Sequence, residues 1–197
     1  MDYKTLLGLL TLGIGIVAYG TYFRQILLKQ VTPHPFSWLI WGFVESIAFF
    51  AMFVKHAGAG AWATGLTGLC CFTIAGLAFF YSKKLEIFKI DWLFLTLAVI
   101  SLILWILTKD PTMSVILLTL TDALGMAFTL RKSYFDPFQE SASLFGLSGI
   151  RSGIAVFALQ SYNLSTWLYP TALVFTNALV VTMILSRRIS LKHQSNV

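Results

Sequence analysis

Residues 24–42 read RQILLKQVTPHPFSWLIWG, and residues 128–146 read FTLRKSYFDPFQESASLFG. A shift of 104 residues lays one stretch on the other, placing Pro33 on Pro137, Ser37 on Ser141 and Gly42 on Gly146. Extended outward without a gap, the same shift puts Phe53 on Phe157, Thr67 on Thr171, and the pair Lys83-Lys84 on Arg187-Arg188. Leu-on-Leu matches arise by chance in any apolar chain. Proline, glycine and paired basic residues at the ends of apolar runs do not align so easily. The shift predicts an internal duplication.

The repeated unit is built for lipid. The chain has 197 residues, 57% hydrophobic and only 11% charged, against about 25% charged in a soluble domain. Its mean hydropathy is +0.80. So few charges cannot cover a soluble surface, and the composition excludes a soluble globular domain, a disordered chain and a disulfide-stapled scaffold. At roughly 20 residues per span there is room for about seven transmembrane helices. Apolar runs fall at 5–23, 37–54, 61–81, 92–107, 112–130, 143–159 and 167–185. A membrane barrel would show short alternating segments instead. The first run is too long for a signal-peptide core, and it lacks a basic cluster before it and a small-residue cleavage site after it, so it reads as a retained span.

The runs divide into a first three-helix repeat over 1–84, a linker helix over 85–110, a second repeat over 111–188 and a tail over 189–197. The predicted fold is all-α integral membrane: seven transmembrane helices, as two parallel three-helix bundles joined by a linker helix (3+1+3). The linker lets the second copy keep the orientation of the first. Parallel repeats of this kind are a recurring plan for transporters, with the solute held between the halves near the midplane.

Basic residues set the orientation. Arg24, Lys29, Lys83, Lys84, Lys89, Arg131, Lys132, Arg187, Arg188 and Lys192 lie on one side, and only Lys4, Lys55 and Lys109 on the other. The positive-inside rule puts the richer side in the cytoplasm, so the N-terminus is outside and the C-terminus inside. The membrane is read as the bacterial inner (plasma) membrane. The net charge of +6 and pI near 9.4 need no nucleic-acid partner, because the basic residues sit at span ends rather than on one soluble face. The partners expected are the lipid bilayer and a small-molecule solute, with self-association into a homo-oligomer left open.

The 3+1+3 plan with the N-terminus outside resembles the SWEET, PQ-loop and Pnu-type group of membrane transporters, and the KDEL receptor shares that architecture. Arg24-Gln25-Ile26-Leu27-Leu28-Lys29, leading into Pro33-His34-Pro35-Phe36-Ser37-Trp38, resembles a PQ-loop passage. The second copy runs from Phe128-Thr129-Leu130-Arg131-Lys132 to Pro137 and Ser141. The resemblance implies alternating access of two three-helix bundles. SWEET proteins place an Asn in the third and in the seventh helix around the sugar; the matching positions here are Thr73 and Asn177.

Ionisable groups deep in a span cost roughly 2.5–3.5 kcal/mol each and point to function. Glu45, Asp122 and Arg151 lie about 12–15 Å from an interface at 1.5 Å per residue. Thr73 and Asn177 each sit ten residues before the basic pair that closes their span, in the same layer. Opposite charge at one depth predicts an Asp122–Arg151 pair. Glu45, left without a cation, and Asp122 are the candidate proton-coupling carboxyls. Trp38, Trp41, Thr73, Arg151 and Asn177 are the candidate solute-binding residues, with Trp38 and Trp41 on one helical face. Trp62, Trp92 and Trp167 read as an interfacial belt, and His34 as a loop residue.

Cys70 and Cys71 are adjacent within an apolar run, which suits neither a disulfide nor a metal site. The sequence contains no catalytic constellation, zinc spacing or P-loop, and no Lys stands within 167–185 to carry a retinal Schiff base. No enzyme activity, cofactor or metal is expected. The predicted function is transport of a small polar solute such as a sugar, nucleoside, vitamin or amino acid, as a uniporter or proton-coupled carrier. The competing readings are a KDEL-receptor-like sorting receptor and a non-transporting accessory subunit.

Overall fold

The computed structural model describes residues 2–31, 33, 35–81 and 89–194. Among them, every regular element is helical. The helices are α1 (Tyr3–Leu27), α2 (Pro35–Val54), α3 (Trp62–Tyr81), α4 (Lys89–Thr108), α5 (Pro111–Phe135), α6 (Ala142–Phe157) and α7 (Leu164–Gln194), with 3-10 turns at Gly58–Ala61 and Pro137–Gln139. Lys83, Lys84 and His34 lie outside the described residues.

Local chemistry sets the ends. Pro35 and Pro111 open α2 and α5, a position where the missing N–H has no helical acceptor anyway. Ser141 caps α6 by accepting from the Leu144 amide at 3.4 Å. Two helices close on the same motif without a glycine. The Gln30 amide donates to the Gln25 carbonyl and the Lys29 amide to Ile26, both at 2.9 Å, with Lys29 at φ 57°. The Ala57 amide donates to Met52 at 2.9 Å and the His56 amide to Phe53 at 3.1 Å, with His56 at φ 56°. A left-handed residue with these paired bonds satisfies the last helical carbonyls.

Three helical stretches are long and apolar enough to cross a bilayer: Tyr3–Leu27, Gly58–Tyr81 and Leu164–Lys192. Shorter apolar stretches occupy Trp38–Val54, Pro111–Ala123 and Ala142–Phe157. The outer faces carry large apolar side chains in the open, among them Leu69, Phe80, Leu107, Phe157 and Phe175. Such a surface suits lipid rather than water. The chain is a helical membrane protein.

Helices α2 and α1 pack on α3, and α6 and α5 pack on α7. Across the middle, α1 lies against α6 and α2 against α5, while α4 leans on α5 and α2. One apolar core, with Val44, Ala48, Val115, Leu118 and Tyr169, joins α2, α5 and α7. A second, with Tyr19, Tyr22, Trp38, Ile74 and Leu144, joins α1, α2, α3 and α6.

At the end where α1 begins, polar bonds tie the first helices to the later ones. Lys4 Nζ donates to the Leu159 carbonyl at 2.7 Å. The Gln160 amide donates to the Ala57 carbonyl at 3.0 Å, and Lys55 pairs with Asp110 at 3.8 Å. At the opposite end α7 extends well past residue 185. Arg187 Nε donates to the Tyr134 carbonyl at 2.9 Å. Arg188 donates to the carbonyls of Pro137 at 3.0 Å and Glu140 at 2.7 Å. Those bonds fasten α7 to the end of α5 and to the α5–α6 connection.

Candidate functional site: a cavity between the helices

Between the helix groups lies a cavity of about 50 Å³, room for a few waters or a small polar group. Helix α2 contributes Trp38, Trp41 and Glu45, and α3 contributes Thr67 and Cys71. Helix α5 gives Asp122 and Met126, α6 gives Leu144, Phe145, Ser148, Arg151 and Ser152, and α7 gives Leu173 and Asn177. The structure thus brings Trp38, Trp41, Glu45, Asp122, Arg151 and Asn177 around one space. The polar members are deeply buried: Arg151 is 2% exposed, Asn177 4%, Glu45 5% and Asp122 6%.

Thr73 is not part of this group. It is exposed, and its hydroxyl donates to the Leu69 carbonyl of its own helix at 2.8 Å. Thr67 lines the cavity instead. Six residues along a helix turn a side chain about 240°, so the two threonines lie on different faces of α3.

Arg151 also differs from expectation: it does not pair with Asp122. Its Nη1 donates to the Ala63 carbonyl at 3.0 Å, and its Nη2 donates to Thr67 Oγ1. The guanidinium stands 5.4 Å from the centre of the Tyr19 ring, and its Nε is buried without a partner. Gly15 of α1 makes this possible, because a Cβ there would lie 3.3 Å from Arg151 Nη1 and 2.7 Å from Leu66 Cδ2. Arg151 therefore fastens α6 to α3 rather than to α5.

The two carboxyls share a neighbour that the sequence did not single out. Tyr169 of α7 is fully buried, and its hydroxyl sits beside both Glu45 and Asp122. It is not in hydrogen-bonding geometry with either, and Tyr169 Oη and Glu45 Oε2 are buried without partners. Arg151 and Asp122 both act electrostatically on Glu45, and Tyr169 neighbours both carboxyls. Two carboxyls thus face one guanidinium whose two terminal nitrogens are already engaged.

Two indoles form one wall. Trp38 and Trp41 meet edge-to-face with centroids 5.3 Å apart, and Trp38 also lies 5.1 Å from the Tyr22 ring. Asn177 donates its amide to the Leu173 carbonyl at 2.7 Å, which fixes the side chain against its own helix. Cys70 and Cys71 are free thiols, and Cys71 faces the cavity. Among the described residues no group of His, Cys, Asp and Glu is placed to hold a metal ion.

Comparison with protein-family models, curated proteins and solved structures returns no match.

Proposed function

We propose that this chain is a membrane transporter for a small polar solute, working by alternating access of two three-helix bundles around the buried cavity. The observation that carries the reading is the cavity itself. Glu45, Asp122, Arg151 and Asn177 come from four helices and meet in one space inside a chain whose outer faces are apolar. Burying four such groups is costly, and packing alone gives no reason to gather them around a void. An accessory subunit without a solute has no use for that arrangement.

Seven spans, with the N-terminus outside and the C-terminus in the cytoplasm of a bacterial inner membrane, fit the basic-residue bias. Support for the 3+1+3 repeat comes from the helix contacts. With α1 matched to α5, α2 to α6 and α3 to α7, the α2–α3, α1–α3 and α1–α6 contacts map onto α6–α7, α5–α7 and α5–α2. Helix α4 falls outside that scheme. Trp41 and Phe145, 104 residues apart, both line the cavity. The resemblance to the SWEET, PQ-loop and Pnu-type group agrees with this plan.

The reading is tested by a thermal-unfolding screen of the purified protein against sugars, nucleosides, vitamins and amino acids. A ligand that binds the folded state stabilises it by mass action. A hit should also enter proteoliposomes holding the protein and not empty ones. A full panel with no stabilising solute and no uptake would defeat the transporter reading.

A further inference from the structure

We propose that the solute bound in this cavity is a small organic cation, its ammonium head held by Asp122 with Tyr169 beside it and its apolar body against Trp38 and Trp41. This rests on the transporter reading and narrows it to a substrate class.

The first argument is charge. The cavity is lined by two carboxyls and one guanidinium. The two terminal nitrogens of the guanidinium are committed to the Ala63 carbonyl and Thr67, its Nε alone is without a partner, and its field reaches Glu45. Asp122, in contrast, has no ion pair among the described residues, and the polar side chain beside it is Tyr169. An unpaired carboxylate in a low-dielectric interior requires a counter-charge or a proton. A positive ligand supplies the first.

The second argument is the set of uncommitted atoms. Tyr169 Oη and Glu45 Oε2 are buried without partners. Glu45 and Asp122, which both line the cavity, offer acceptors to a group with several N–H donors. A primary ammonium has three. The third argument is the wall. Trp38, Trp41 and Phe145 present aromatic surfaces that attract a cation and shelter an alkyl or aryl body. A bare metal ion fits poorly, since it requires several oxygen ligands at close range and the remaining lining is largely apolar.

The test compares ethylammonium chloride with ethanol, its neutral analogue of the same shape, and with sodium chloride at matched ionic strength, by thermal unfolding of the full-length wild-type protein. Ethylammonium should give a saturable rise of about 3–5 °C at ten times its Kd, and ethanol and sodium chloride none. Asp122→Asn should abolish the ethylammonium response. If that variant does not fold, the ammonium-against-alcohol difference in the wild type decides alone. Equal effects of ethylammonium and ethanol, an equal effect of sodium chloride, or an unchanged response in Asp122→Asn would each overturn the proposal. Stabilisation and uptake of a neutral solute, with no ammonium effect, would defeat this inference and leave the transporter reading standing.

Discussion

Thr67 and Arg151, 84 residues apart, close a hydrogen-bonded triangle on one backbone carbonyl. The Thr67 hydroxyl accepts from Arg151 Nη2 and donates to the Ala63 carbonyl at 2.8 Å, which also accepts from Arg151 Nη1 at 3.0 Å. Thr67→Val keeps the shape and removes the hydroxyl. It should cost about 1.5–3 kcal/mol, as expected for a bond to a charged group. In double-mutant cycles read by unfolding in detergent, Thr67→Val and Arg151→Gln should couple more strongly than Asp122→Asn and Arg151→Gln. The reverse order would restore the Asp122–Arg151 pair.

Gly60 is a packing contact between the 3-10 turn and α6. A Cβ there would lie 2.9 Å from the Ala155 carbonyl oxygen and 2.9 Å from Leu159 Cα. Backbone cannot yield as a flexible side-chain tip can, so Gly60→Val should destabilise by about 1–3 kcal/mol. Gly13 has nothing within 4 Å of its would-be Cβ, and Gly13→Ala should not lower the unfolding temperature. Equal losses in the two variants would contradict this packing.

Asp110, in the α4–α5 connection, accepts from the Thr112 amide at 3.0 Å and from the Thr112 hydroxyl at 2.7 Å. These bonds, with Lys55 nearby, hold its carboxyl below the ordinary aspartate value. A group whose folded value is depressed adds stability above its unfolded value, about 3.9, and loses it as pH falls through the folded one. Asp110→Asn keeps an acceptor oxygen for both bonds but removes the titrating charge, and should therefore flatten the stability profile in acid. Between the variant and the wild type, the difference should be larger at pH 6 than at pH 3. A constant difference would show that the Asp110 charge plays no part.

The basic-residue bias predicts topology. A reporter active only in the cytoplasm should work when fused after Val197 and fail when fused before Met1. The opposite pattern would invert the sides assigned above.

Much of the fold was legible because helix existence follows from long apolar runs, and helix ends follow from proline, serine and basic residues. The gathering of polar groups was legible too, since counting residues from the span ends picked out Glu45, Asp122, Arg151 and Asn177, which line one cavity. Facing was not. Thr73 and Thr67 are both small hydroxyl residues in one helix, and only the packing of α3 on its neighbours separates them. Partner choice was hidden for the same reason. Arg151 pairs with what α3 presents, and a carbonyl freed to accept a second and third donor leaves no trace in sequence. Tyr169 carried no signal beyond being aromatic, because its meaning lies in the two carboxyls brought to it by α2 and α5. The bonds of Arg187 and Arg188 to carbonyls at the end of α5 and on the α5–α6 connection were equally hidden.

The central claim is that the cavity opens to each side of the membrane in turn. In a background with Cys70→Ser and Cys71→Ser, Asn177→Cys places one thiol at the cavity wall. The membrane-impermeant reagent 2-(trimethylammonium)ethyl methanethiosulfonate is then applied to oriented vesicles from one side or the other. Alternating access predicts that the thiol is labelled from both sides, and that a solute identified by the unfolding screen slows both reactions. Labelling from one side only, or from neither, would contradict the account.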